Sequence, residues 1–96
     1  MSITYLREGD LSKGHDGFPP SPVISGCAST CFLDSKKVAL DGAIFAPHTK
    51  GKSTHYGRYG IGTGSFYVEG KKVLHTDDPI SCGDTCADGS PDTIFN

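Results

Sequence analysis

The chain has no tryptophan, one methionine and only five Phe and four Tyr among its 96 residues, and its apolar content is 35%. A domain of that size buries only about 60–65% of its unfolded surface, so a chain this poor in large side chains forms a thin core. Such domains are usually stapled by disulfides, a metal or a partner. No window sustains a 3.6-residue apolar period, and Gly or Pro interrupts almost every stretch of ten, which excludes long helices. No apolar run approaches the roughly 20 residues that a membrane helix needs. The opening "MSITYLREGD" has neither an apolar core nor a small-residue cleavage site, so no secretory signal is read there. The expectation is synthesis in a reducing cytoplasm, where thiols and metal are favoured over structural disulfides. A net charge of −2 and a pI near 6.0 argue against a protein held to nucleic acid by phosphate contacts.

What is abundant is turn chemistry: thirteen Gly and six Pro separate short extended runs, the pattern of an all-β fold in one domain over residues 1–96. Strands are predicted near 3–8, 29–34, 37–41, 64–69, 72–76 and 92–96. Two of these runs repeat. "STCFLDSKKVAL" (29–40) matches "GSFYVEGKKVLH" (64–75) at a shift of 35 residues, each reading as an apolar strand, a two-residue turn and a returning strand. Asp34-Ser35 and Glu69-Gly70 fall at the turns, flanked by Lys36-Lys37 and Lys71-Lys72, whose charge discourages edge association. A third partial copy closes the chain, Thr93-Ile94-Phe95 answering Thr30-Cys31-Phe32. Its missing half is available in "TYLREGD", which would bring the two ends together and make three quasi-equivalent hairpins about a pseudo-threefold axis.

The stretch "KGHDGFPPSP" places His15 between glycines, ahead of Pro19, Pro20 and Pro22. The prolines fix φ and stiffen an extended loop, so the imidazole is held in place. His48 and His55 bracket "HTKGKSTH", and Cys82 lies in "PISCGD" at a proline-marked turn. His15, His48, His55 and Cys82 would complete a closed tetrahedron of the kind found in structural zinc sites. A second set has equal weight on spacing alone: Cys27-x3-Cys31 and Cys82-x3-Cys86 suit a four-cysteine zinc site or two disulfides. Cys31 and Cys86 also read as small buried hydrophobes, and His75, opposite Leu40 in the repeat, reads as a packed or surface residue.

The chain resembles the PAAR-repeat proteins, the small cones that cap the spike of type VI secretion systems and contractile phage tails. The resemblance is carried, in order along the chain, by "GHDGFPPSP", "FLDSKKVAL", "FAPHT", "HYG", "FYVEGKKVL", "DDPISCGD" and "GSPDTIF". Lys37-Val38-Ala39-Leu40 and Lys72-Val73-Leu74-His75 stand where the family has its name-giving Pro-Ala-Ala-Arg. The resemblance implies a conical all-β fold with structural Zn2+ near the apex, held by His15, His48, His55 and Cys82, and so favours the mixed ligand set.

It also implies a non-enzymatic, mechanical role: one chain caps each trimeric β-helical spike, meets the target membrane transiently and travels with any effector proteins the spike carries. The chain would then leave the cytoplasm through the injection machine or be assembled into a virion tail tip. An enzyme reading, with Asp16 or Asp84 as base, lacks a His-Glu-x-x-His pattern and has no open metal position, since four ligands are present. The alternative of another class is a small zinc-binding nucleic-acid module, using the basic and aromatic residues of 48–59. Against it, Lys50, Lys52 and Arg58 read as the solvated charges of a loop, and the acidic pI agrees.

Overall fold

The computed structural model describes residues 3–90 and 94–95. Among them no helix forms, and the elements are β1 (Ile3–Thr4), β2 (Val23–Leu33), β3 (Lys36–Phe45), β4 (His48–Lys50), β5 (Ser53–His55), β6 (Tyr67–Val68), β7 (Lys71–Lys72) and β8 (Ile94–Phe95). They pair as four antiparallel two-stranded units: β2 with β3, β4 with β5, β6 with β7, and β1 with β8. The fold is thus all-β, as expected. The two repeat hairpins turn where predicted. Asp34 and Ser35 have φ of 54° and 66°, Glu69 and Gly70 have 54° and 81°, and positive φ at both central residues is the type I′ geometry that matches strand twist.

The two ends of the chain do meet, through Ile3 opposite Phe95 and Thr4 opposite Ile94. By this register Phe95 stands where Leu33 and Val68 stand in the other arms, one place off the expected alignment with Phe32. The predicted strands over 3–8, 64–69 and 72–76 are shorter than expected, continuing as single bridges such as Tyr5 with His75 and Leu40 with Val73. Of the strand predicted over 92–96, residues 92, 93 and 96 lie outside the described residues.

The reason for the short ladders lies at the centre. The Leu6 N–H donates to the Leu74 carbonyl, the Leu74 N–H to the Ala39 carbonyl, and the Ala39 N–H to the Leu6 carbonyl, each at 2.9 Å. These bonds close a ring in which three segments each donate to one neighbour and accept from the other. The flanking bridges repeat the cycle, Tyr5 with His75, Val73 with Leu40 and Val38 with Arg7. Tyr5-Leu6-Arg7, Val38-Ala39-Leu40 and Val73-Leu74-His75 therefore hold corresponding places in one cyclic pairing pattern. Three strands converging on one axis leave little length for any pair to share. The ring still satisfies the buried backbone groups of Leu6, Ala39 and Leu74, all fully buried.

The core forms two clusters along the chain segments. One gathers Leu6, Ala39, Leu74, Val23, Phe45, Ile80 and Cys86, with Cys27 and Cys82 packed against it. The other gathers Tyr5, Val38, Val73, Leu40 and Ala28, with the hairpin residues Cys31, Leu33 and Val68 against it.

The acidic residue at each repeat turn has a structural task. Asp34 accepts from the Arg7 guanidinium at 2.7 Å and from the Ser90 hydroxyl. Glu69 accepts from the backbone N–H groups and hydroxyls of both Ser29 and Thr30. Each arm is thus hooked to another segment by its turn carboxylate. The hydrogen bonds from Thr30, then those from Ser29, hold Glu69 below the ordinary glutamate pKa. A lowered folded-state pKa means a contribution present above the ordinary value and lost as pH falls through the folded one. An NMR titration is expected to show the Glu69 carboxyl titrating below ordinary glutamate and moving upward in Thr30→Val; an unmoved value would remove this hook.

Candidate metal centre

His15 enters the site on a tight turn rather than the extended loop expected of "KGHDGFPPSP". His15 and Phe18 exchange backbone hydrogen bonds of 3.1 and 2.6 Å, and Asp16 and Gly17 between them take φ of 45° and 86°, another I′ geometry. Gly17 takes the second, left-handed position of that turn without the strain a side chain would bring. His48 and His55 sit on a hairpin that sequence reasoning took for a loop. They are direct cross-strand partners in β4 and β5, with a Gly51-Lys52 turn in which Gly51 alone has positive φ, 58°. Direct pairing puts both imidazoles on one face, separated by about the 4.5–5.5 Å between opposed Cβ atoms. Cys82 comes from the turn after Ile80, where Gly83 has φ of 99°.

One donor atom each from His15, His48, His55 and Cys82 lies within 4.8 Å of every other. The facing pairs are closer: His48 Nε2 is 3.1 Å from His55 Nδ1, and Cys82 Sγ is 3.6 Å from His15 Nε2. With metal–nitrogen distances of about 2.0–2.1 Å and metal–sulfur of about 2.3 Å, donors at the corners of a tetrahedron lie roughly 3.3–3.7 Å apart. The set is thus close to coordination geometry. Three imidazoles and a thiol are also the donor types that zinc prefers.

Outer contacts prepare the ligands. His48 Nδ1 donates to the Pro19 carbonyl at 2.9 Å, which leaves Nε2 as the lone-pair nitrogen facing the other ligands. The proline run therefore has a precise use: it fixes the carbonyl that sets the tautomer of His48. Burial pushes the His48 pKa below the ordinary histidine value, favouring the neutral form that binds metal. Phe18 lies among the imidazoles, 4.0 Å from His55, 4.7 Å from His48 and 5.2 Å from His15 between ring centroids, giving the site an apolar wall.

The four-cysteine set is not assembled. Among the described residues Cys27, Cys31 and Cys86 join no group able to hold a metal, and all four thiols are free. Burial raises the Cys86 pKa to about 12 and the Cys27 pKa to about 11, so these thiols behave as inert packing groups. His75 is partly buried away from the cluster, donating through Nδ1 to the Thr76 carbonyl at 2.7 Å, with Nε2 3.3 Å from Asp78.

Two residues needed a different reading. Arg58, taken for a solvated loop charge, is 1% exposed, and Asp84 is equally buried. Arg58 donates to Asp84 at 3.1 Å, to the Ala46 carbonyl at 2.7 Å and to Cys82 Sγ at 3.5 Å. Nothing in "HYGRYG" marks this arginine as buried, because its partners lie 12 to 26 residues away. Asp16, by contrast, is exposed at its turn. Compared with known protein families the chain matches no family model, and it matches none of the curated proteins.

Proposed function

We propose that this chain is a spike tip: a small all-β cone that caps a trimeric β-helical spike and is pinned at its far end by structural zinc. The observation that carries the reading is the closed ring of backbone hydrogen bonds among three segments. A single chain that closes Leu6, Ala39 and Leu74 into a cyclic backbone ring presents three equivalent arms, and three equivalent arms suit a threefold partner. Phe32 and Tyr67 occupy equivalent positions on two of those arms and are 52% and 57% exposed. The register puts Ile94 at the third. Exposed apolar residues at matching places on two arms, Phe32 and Tyr67, fit association with strand ends of a trimer, by strand addition and apolar contact.

His15, His48, His55 and Cys82 would hold the zinc. A closed four-ligand site contributes cohesion rather than chemistry, so the protein is read as structural and not as an enzyme. It ties together residues as far apart as His15 and Cys82, 67 positions along the chain. That is the requirement for a small point which a contracting machine drives through a target envelope.

The test is native mass spectrometry after mixing the zinc-loaded chain with trimeric β-helical spike proteins of contractile tails and type VI systems. The expected species is one chain per trimer, weakened by the double variant Phe32→Asp, Tyr67→Asp. Three chains per trimer, or no complex with any spike, would sink the proposal.

A further inference from the structure

Beneath the four ligands lies an ion pair that metal binding alone does not require. Both partners are about 1% exposed, and a buried ion pair contributes little net stability because desolvation offsets the attraction. The pair also carries a cost: the Arg58 Nε–H is buried without a hydrogen-bond partner among the described residues. Apolar side chains at both positions, the one at 58 packing over the Phe45 ring 5.9 Å from the guanidinium carbon, would avoid both penalties.

What the pair touches suggests why it is there. One guanidinium nitrogen of Arg58 is shared between the Asp84 carboxylate at 3.1 Å and Cys82 Sγ at 3.5 Å. The other terminal nitrogen is anchored on the Ala46 carbonyl, two residues before His48, while the Arg58 carbonyl accepts from the Phe45 N–H at 2.9 Å. Asp84 is held by the Thr85 N–H at 2.8 Å, and its Oδ2 lies 4.0 Å from His48 Nδ1. The guanidinium is therefore oriented from several sides, and the nitrogen it shares with Asp84 also faces one ligand atom, the sulfur.

We propose that Arg58, oriented by Asp84, is a positioning residue for the metal centre, donating an N–H···S hydrogen bond that holds the Cys82 thiolate on the metal and lowers its reactivity. This rests on the metal-site reading above. A charged donor on a metal-bound thiolate withdraws electron density from the sulfur, so the bound sulfur is a weaker nucleophile. Because Arg58 and Asp84 sum to zero, the pair supplies this hydrogen bond without changing the net charge of the site. Lysine keeps the charge but not the planar fork that serves Asp84, Ala46 and Cys82 together.

The experiment compares wild type, Arg58→Met, Arg58→Lys and Asp84→Asn, each loaded with Co2+ for spectroscopy and with Zn2+ for reactivity. In Arg58→Met the sulfur-to-cobalt charge-transfer band is expected at longer wavelength, because the thiolate electrons are no longer stabilised. Alkylation of Cys82 by iodoacetamide in the zinc form should be about tenfold faster, and metal affinity should fall about 10–100-fold, the usual effect of losing an outer-shell partner. Arg58→Lys should restore part of the band position, and Asp84→Asn should lie between wild type and Arg58→Met. If Arg58→Met does not fold, the lysine and asparagine variants carry the same readouts. A variant series that melts earlier yet keeps the wild-type band and alkylation rate would overturn the proposal, leaving the pair as a packing device. Wild type that takes up neither Co2+ nor Zn2+ would overturn the metal site itself, and this proposal with it.

Discussion

Stripping zinc from the loaded chain with a strong chelator at neutral pH is expected to lower its thermal midpoint by at least about 15 °C, or to abolish the cooperative transition. Structural zinc sites carry apparent binding energies of about 10–16 kcal/mol at neutral pH, comparable to the 5–15 kcal/mol that is the whole stability of an ordinary domain. Loss of even about 3 kcal/mol suffices for such a shift, since each kcal/mol moves the midpoint of a domain this small by about 4–8 °C. Structure should fail first around His15–Phe18 and along the β4–β5 hairpin. That hairpin is only three residues per strand, and an isolated pair of such strands is marginal in water.

Circular dichroism melts with and without chelator are the measurement, with Cys82→Ser expected to behave like the stripped protein and Cys31→Ser like wild type. An unchanged midpoint after verified metal removal would eliminate the structural role. The same loss is expected on acidification. Burial lowers the His48 pKa, so its contribution is present above the ordinary histidine value of about 6.5 and is lost as pH falls through the lowered folded value. Protons then compete with the metal for the ligands, and release should begin below about pH 6.5.

Replacing Gly89 with alanine is expected to cost about 3 kcal/mol or more, beyond the common run of single substitutions. An ideal Cβ at this position would lie 1.9 Å from the Tyr5 carbonyl oxygen, 2.4 Å from its carbon and 2.8 Å from the Leu6 Cα. All of these are backbone atoms next to the central ring, so no side chain can swing away to make room. The Gly89 N–H also donates to the Thr4 hydroxyl at 2.6 Å and the Ser90 N–H to the Tyr5 carbonyl at 2.8 Å, so the segment cannot move off without breaking those bonds. Gly70→Ala provides the control. It has φ of 81° in open space and should cost only about 1–2 kcal/mol of backbone strain. Urea denaturation of both variants decides the matter: equal costs would mean that the contact between Gly89 and the first segment is not tight.

The local features were legible because local chemistry sets them. Asp34-Ser35 and Glu69-Gly70 turn where the repeat says they turn, since only a two-residue link returns "KKV" beside its partner strand. His15, His48, His55 and Cys82 were legible as donors by their residue types, yet spacing left them level with a four-cysteine set. Among the described residues only the first set converges, and convergence is a property of the chain's three-dimensional path. The β4–β5 hairpin was missed because "HTKGKSTH" has no apolar alternation to signal a strand; its two strands are held by backbone pairing and by the histidines they present.

By itself, then, the sequence determined the all-β class, the two-residue turns of two arms, the meeting of the chain ends and the pool of possible ligands. Each of these follows from residues within a few positions of one another, or from a repeat visible on inspection. Only the tertiary structure decided which cysteine faces the histidines, that Arg58 is buried beneath it and that Leu6, Ala39 and Leu74 close a single ring. Those outcomes depend on groups that folding alone brings within hydrogen-bond reach, and no local pattern encodes such distances.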